Sequence, residues 1–325
     1  MFLENFKDID EFIDAFYGTF NSKNEEEDQR SLEEIQRYTI PKQISTNNKE
    51  INVVGIDLGT TRCCAAVNRK NGIQTVALEN TGERLLPSYV AFDEKHIKCG
   101  QIVVYRLRNY SEASVFDIKR IIGRRFENLK VDESWTFEVC NDDGKIFIKT
   151  EGFNGDILKM TPEDISAELL KYIKHKTEEF QGQKLFEAVI TVPAAFDEAQ
   201  RKATIEAANL AGWETVQLLP EPVAAAFAYF IDRPIPENST LLLFDLGGGT
   251  LDVCIFKISN GELNIISRSG DPNLGGRDFD SILINYFKEK LKNNYEIILS
   301  KSKQFKLMQI CQEAKETLTV TNEYL

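Results

Sequence analysis

FDLGGGTLDV, residues 244–253, is the stretch that decides the fold. An apolar run, STLLLFD (239–245), ends on an acid, passes through LGGGT (246–250) and resumes as LDVCIFKI (251–258), which reads as strand, tight turn, strand. The same order of residue types occurs near the start, where INVVGID (51–57) leads through LGTT (58–61) into RCCAAVN (62–68). Setting Asp57 on Asp245 aligns apolar-apolar-Asp-Leu-Gly, a small-residue turn with threonine, and a second apolar strand, at a separation of 245 − 57 = 188 residues. A stacked repeat array has periods of about 20–50 residues, so this spacing predicts two duplicated lobes instead.

The turns carry the chemistry. Glycine lacks the Cβ that keeps a ligand off the backbone, and successive N–H groups in a tight turn make an anion-binding nest. Gly247-Gly248-Gly249-Thr250 is one such nest and Gly59-Thr60-Thr61 a second. Neither is a P-loop, because GxxxxGK[ST] is absent, and a dinucleotide fingerprint would need a helix after the glycines. Asp57 and Asp245 end the first strand of each hairpin. Two carboxylates beside a polyphosphate repel it unless a hard cation lies between, and Mg²⁺, which keeps much of its water shell, suits that place. One such hairpin alone is an ordinary glycine turn. The matched pair is what points to a nucleotide triphosphate.

Around these hairpins the chain alternates strands and helices, the pattern of an α/β protein. Residues 72–79 and 85–92 read as strands, and residues 111–124 and 162–180 as helices. Glu187–Val192 reads as a buried strand. Asp197 with Gln200 caps a helix that runs to Ala211 and stops at Gly212. Val216–Leu219 is a further strand, Pro222 opens a helix ending near Phe230, and residues 278–297 and 303–319 are helical. The expected division is an N-terminal helical, acidic extension over 1–50, lobe I over 51–236, and a partial lobe II over 237–325. In the extension, Phe2, Phe6, Ile9, Ile13, Phe16 and Phe20 make one apolar helical stripe, and Asn21–Arg30 is an acidic linker. Ser31 and Glu34 then open a second helix, begun by Leu32 and Ile35, that should end before Pro41.

Composition narrows the function. The net charge of −12 argues against nucleic acid as the main partner, and half of it lies in residues 1–50, where 12 acids face 6 bases. The start, MFLENFKDID, has no basic-then-apolar signal, and no apolar run nears the roughly 20 residues of a membrane span. The six cysteines form no CxxC pair and only two histidines accompany them, so they read as buried thiols of a reducing cytosol. The expectation is a cytoplasmic protein with no membrane or nucleic-acid partner.

GIDLGTT (55–61), FDIKRIIGRR (116–125), ITVPAAFDEAQRKAT (190–204), EPVAAAFAY (221–229), FDLGGGTLDV (244–253) and GDPNLGGRDFD (270–280) resemble, in order and spacing, the actin-like ATPase domain of the 70-kDa heat-shock chaperones. The resemblance runs from about Val53 to Lys315. It implies two ribonuclease-H-like lobes flanking a nucleotide cleft, and ATP hydrolysis in ATP-dependent protein folding. By its matched positions, Asp57 and Asp245 hold Mg²⁺ through water, and Gly59, Thr60, Thr61, Gly247, Gly248 and Gly249 hold phosphate. Lys119 reaches the γ-phosphate and orients the attacking water, while Glu221, Thr250 and Asp252 complete the water and metal network. Gly275 and Gly276 approach the nucleotide from lobe II. Pro193 and Arg201 match the pair that relays nucleotide state between lobes.

The adenine helix carries Lys315 as in the family, with Gln312 and Glu316 where glutamate and arginine are usual. Arg62 stands for a tyrosine and Ala195 for an aromatic. J-domain co-chaperones and nucleotide-exchange factors are the partners the resemblance implies, with docking positions altered at Gln217 and Pro220. At Leu325 the family's domain still has the end of lobe II to come, then its linker and peptide-binding domain, so unfolded clients would be met through a missing domain or another chain. The competing reading is a non-catalytic, nucleotide-binding regulatory protein derived from the same domain. A sugar kinase of the same superfamily is disfavoured by EPVAAAFAY and FDIKRIIGRR.

Overall fold

A computed structural model describes residues 36–40, 52–70, 72–231, 233–234 and 236–320. The Phe2–Phe20 stripe, the acidic run to Arg30, the Ser31–Glu34 cap and residues 42–50 lie outside the described residues. In chain order the strands are β1 Arg37–Thr39, β2 Val53–Leu58, β3 Arg62–Arg69, β4 Gly72–Thr75, β5 Leu86–Pro87, β6 Tyr89–Ala91, β7 Lys98–Cys99 and β8 Ser114–Phe116. They continue as β9 Glu138–Asp142, β10 Lys145–Glu151, β11 Ile157–Met160, β12 Glu187–Val192, β13 Thr215–Pro220, β14 Ser239–Leu246, β15 Leu251–Ser259 and β16 Glu262–Asp271. The helices are α1 Gln101–Tyr110, α2 Pro162–Gln181, α3 Glu198–Leu210, α4 Glu221–Ile231, α5 Gly276–Tyr295 and α6 Lys301–Thr317.

Lobe I is built on a sheet of order β13-β12-β2-β3-β4, with β5 paired to β3. β12 runs parallel to both β13 and β2, whereas β2–β3 and β3–β4 are antiparallel hairpins. Lobe II repeats the hairpin half as the antiparallel series β14-β15-β16. The duplication holds to the residue. Asp57 pairs with Cys64 across the first hairpin, and Asp245 pairs with Asp252 across the second, each partner again 188 further on.

Local chemistry explains most of these boundaries. Thr161 and Asp164 form a reciprocal capping box at the start of α2, with Pro162 in the first turn. Asp197 and Gln200 do the same for α3, and Gly212, at φ 84°, supplies the left-handed exit. The core of lobe I gathers the inward faces of its sheet with α1 and α2, and takes in Phe305 and Met308 of α6 as well. A second core holds Val223, Ala226 and Phe230 of α4 against Cys254, Phe256 and Ile258 of the lobe II sheet. This helix lies between the lobes, touching β12 and β13 of lobe I as well as β14 and β15 of lobe II.

Two expectations are corrected. Residues 111–124 are not a helix. Ser114–Phe116 is a strand paired to β6, Asp117 turns through the left-handed region at φ 57°, and only a short 3-10 turn, Ile118–Arg120, follows. Its apolar periodicity reflects burial on several sides. The chain entering Pro41 is likewise no helix: Arg37–Thr39 is an antiparallel strand on the edge of β16, so this part of the extension belongs to the lobe II sheet. Ile40, 2% exposed, closes that contact inside the second core.

Among the described residues no helix is long and apolar enough to cross a membrane. All six cysteines are free; Cys63, Cys99, Cys254 and Cys311 are buried, whereas Cys64 and Cys140 are only partly so, and burial pushes the Cys63 thiol up to about 11 and Cys254 to about 12.

Candidate nucleotide site

The two hairpin tips meet at a cleft of about 380 Å³ whose lining includes Asp57, Thr60, Thr61, Lys119, Glu221, Asp245, Gly247, Gly248 and Thr250. They interlock. A Cβ on Gly248 would collide with the Thr61 side chain, and one on Gly249 would fall 2.6 Å from Thr60 Oγ1. These glycines thus let the opposite lobe's threonines approach, beyond the access to phosphate that the sequence suggested. Gly275 and Gly276 lie backbone to backbone on the second tip. Gly276 N–H donates to the Gly247 carbonyl at 2.9 Å and Arg277 N–H to the Gly248 carbonyl at 2.9 Å, and a Cβ on Gly275 would lie 2.5 Å from Gly249 N. Gly59 turns the first tip, where a Cβ would run into the Arg62 carbonyl.

Charge concentrates at the bottom of the cleft. Lys119, on the 3-10 turn after Asp117, is buried and ion-paired to Glu221 at the start of α4. Burial disfavours its ammonium, but the Glu221 carboxylate outweighs that, with Asp57 adding to it, and the lysine is held above its ordinary pKa. Asp57, at the end of β2, accepts a hydrogen bond from Thr191 Oγ1 at 3.3 Å. Asp245 is raised by burial and then by the Asp57 charge, and buried Asp252 by burial and then by Asp245. Among the described residues no three His, Cys, Asp or Glu side chains gather closely enough to hold a metal directly.

Gln312, Lys315 and Glu316 of α6 face a neighbouring cavity of about 360 Å³, which shares Thr61, Arg62 and Gly248 with the cleft. Glu316 is ion-paired across the lobes to Arg62 (Nη2–Oε1 2.8 Å), and Lys315 Nζ binds Asp280 at 2.7 Å and the Gly276 carbonyl at 3.0 Å. Gln312 lines the same wall. Pro193, in the turn after β12, and Arg201, in the first turns of α3, come together around Phe196: Phe196 N–H donates to the Pro193 carbonyl at 3.1 Å, and Arg201 Nε donates to the Phe196 carbonyl at 3.1 Å.

Sequence reasoning missed one feature. Arg277 Nε is bonded to Asp117 Oδ1 at 2.9 Å and its Nη2 to the Tyr89 hydroxyl at 2.5 Å, all three buried. This pair fastens the first turn of α5 to lobe I. Both residues sit inside motifs already quoted, FDIKRIIGRR and GDPNLGGRDFD, but a helical reading of residues 111–124 hid the role of Asp117.

Two duplicated lobes with acid-tipped hairpins meeting at a cleft define an actin-like ATPase-type nucleotide-binding domain. Residues 53–324 match the family model described as Hsp70 protein. The chain belongs to the Hsp70 family. It is 39% identical over 271 residues to the heat shock 70 kDa protein of Emericella nidulans, covering 82% of this chain and 42% of that one. It is 39% identical over 275 residues to the chaperone protein DnaK of Thermus thermophilus, covering 83% and 43%. To the putative heat shock 70 kDa protein 7 of Homo sapiens it is 37% identical over 269 residues, covering 81% and 73%. The chain thus spans about two fifths of the length of the first two relatives.

Proposed function

We propose that this domain binds Mg-ATP in the cleft and hydrolyses it as the nucleotide engine of a chaperone. The observation that carries the reading is the buried Lys119–Glu221 pair beside Asp57 and Asp245, which gather from four separate elements. The residues fit a water-clad Mg²⁺: burial and mutual repulsion raise the Asp245 and Asp252 carboxyls, and a divalent cation would relieve that repulsion. Asp57 and Asp245 would hold the ion's waters, and when bound it supplies charge neutralisation of the phosphates.

The chain's own residues do the rest. The backbone N–H groups of the two tips cradle the phosphates, with the threonine hydroxyls as further donors. Lys119 lies where negative charge develops on the transferring phosphoryl group, and a preorganised cation there needs no reorganisation during reaction. A water oxygen bonds the γ-phosphorus as the bond to the bridging oxygen breaks, releasing ADP and inorganic phosphate. Glu221, Thr250 and Asp252 orient that water and accept from it. Single-turnover hydrolysis with wild type and Lys119→Met tests this. We expect the variant to lose about a hundredfold or more in rate. Equal rates, or no turnover by either protein, defeats the catalytic reading.

A non-catalytic reading draws on one observation: Arg62 engages Glu316 at the wall where the nucleoside would lie. Calorimetric titration separates the two, because a working clamp binds Mg-ADP and Mg-ATP and ranks them against Mg-GTP. Unfolded clients would be met through a further domain or another chain, and co-chaperone docking on this domain would be altered at Gln217 and Pro220.

A further inference from the structure

Beside Lys119 lies another cavity of about 380 Å³. Lys119 and Thr250 line both spaces and so form the partition between them. One wall is cationic, made by Arg120, Arg124 and Arg125. Arg120 has its Nη2 bound to Asp278 at 2.6 Å and to the Gly249 carbonyl at 3.2 Å, with Asp132 at 3.9 Å from Nη1. Its Nε, in a side chain 9% exposed, has no hydrogen-bond partner in the protein. The same is true of Arg124 Nε and Gln200 Nε2. Three N–H groups of side chains on this wall thus lack an acceptor in the protein, each costly to leave unmet; they are covered from solvent, and a ligand reaches them only if those side chains shift.

Carboxylates also face this space. Asp197 Oδ1 accepts from Gln200 N–H at 2.8 Å as the cap of α3 and its charge also acts on Arg124, and Asp271 Oδ1 accepts from Asn273 N–H at 2.8 Å. Neither of these two carboxylates is hydrogen-bonded to the arginines' Nε groups. What the wall lacks is a compact acceptor, and a tetrahedral oxyanion supplies several in the geometry a guanidinium favours. Ala195 also lines the space, and its small side chain leaves room that a larger one would take.

We propose that this cavity is an oxyanion site that takes inorganic phosphate, placed to receive the phosphate cleaved in the cleft before it reaches solvent. The role in turnover rests on the hydrolysis proposed above; the binding of phosphate does not. The test titrates the full chain with inorganic phosphate, read by phosphorus NMR, in the presence of a saturating non-hydrolysable Mg-ATP analogue. Phosphate should bind with the analogue in place, and Arg124→Gln and Ala195→Leu should each weaken it at least about tenfold without moving analogue affinity. Displacement of phosphate by the analogue, wild-type affinity in both variants, or no binding by wild type would overturn the site. An analogue that fails to bind would remove the nucleotide reading while the phosphate titration still reads the cavity. The source of the phosphate is read in a single turnover followed by a phosphate sensor. Arg124→Gln should release product at least severalfold faster with bond cleavage unchanged. Unchanged release in a variant that no longer binds added phosphate would overturn the product role and leave solvent as the source.

Discussion

At the scale of single residues, Asp245 pays for its position. Burial and the neighbouring Asp57 raise its carboxyl, and Asp252 is raised in turn by burial and Asp245. A carboxyl raised in the folded state favours folding below its unfolded pKa of about 3.9, and that contribution is lost as pH climbs through the raised value. At neutral pH the ionised groups therefore oppose folding of the protein alone. We expect Asp245→Asn to raise the melting temperature at pH 7.5, with the gain fading as the pH falls to about 4. Mg-ATP should reverse the order, stabilising wild type more than the variant, because the carboxylate is what the cation needs. Thermal unfolding with and without Mg-ATP measures both, and a gain of equal size at the two pH values would contradict the electrostatic account. Lys119 shows the complementary case. The lysine is one of four basic residues in FDIKRIIGRR, yet it is buried because Glu221, 102 residues away, supplies its counter-charge.

At the scale of elements, β1 covers one edge of the lobe II sheet, whose order is β1-β16-β15-β14. Without it β16 would present a row of unpaired backbone groups, the condition that invites association with other chains. The strand is short, so its hold depends on Ile40, which fills the core between α4 and the sheet, and on the Ile40 N–H to Gly261 carbonyl bond at 2.9 Å. Ile40→Asp should release it. Hydrogen exchange should then quicken at amides of β16 and leave those of β12 unchanged, whereas unaltered exchange along β16 would mean that β1 adds nothing to the edge. This element also marks how far the sequence could be read. The hairpins around Asp57 and Asp245 and the caps of α2 and α3 were legible because their signals are local: a turn residue, or an acid three positions from its partner. The pairing of Arg37–Thr39 with β16 is a contact across more than 220 residues, and no nearby residue announces it. Residues 111–124 failed for the same reason. The strand Ser114–Phe116 exists because β6 is there to receive it, and the left-handed Asp117 is held by Arg277.

At the scale of the molecule, the lobes are joined by contacts of very different worth. Arg62–Glu316 is half-exposed and water screens it, so it contributes little to stability. Arg277–Asp117 is buried, with the guanidinium 5.4 Å from the ring centres of both Tyr89 and Phe116 and Trp135 Nε1 donating to Asp117 at 3.4 Å. Burial opposes the Arg277 charge, but Asp117 and Tyr89 more than offset it and hold the group above its ordinary pKa. Removing one partner leaves the other charged in a dry site, a loss of about 3–5 kcal/mol, whereas removing both deletes the penalty along with the attraction. Arg277→Met alone should therefore cost that much in urea unfolding. Combined with Asp117→Asn, which keeps a residue tolerant of the left-handed turn, the total should fall short of the sum of the single costs by at least about 1 kcal/mol. The two tryptophans, Trp135 and Trp213, both lie in the lobe I core, so their fluorescence reports that lobe while circular dichroism reports the whole chain. In wild type the two transitions should coincide. In Arg277→Met they should separate, with the dichroism change coming first as α5 and the lobe II sheet let go of lobe I. Additive single costs, or transitions that stay together, would mean that α6 seated on α1 through Phe305 and Met308 is what couples the lobes instead.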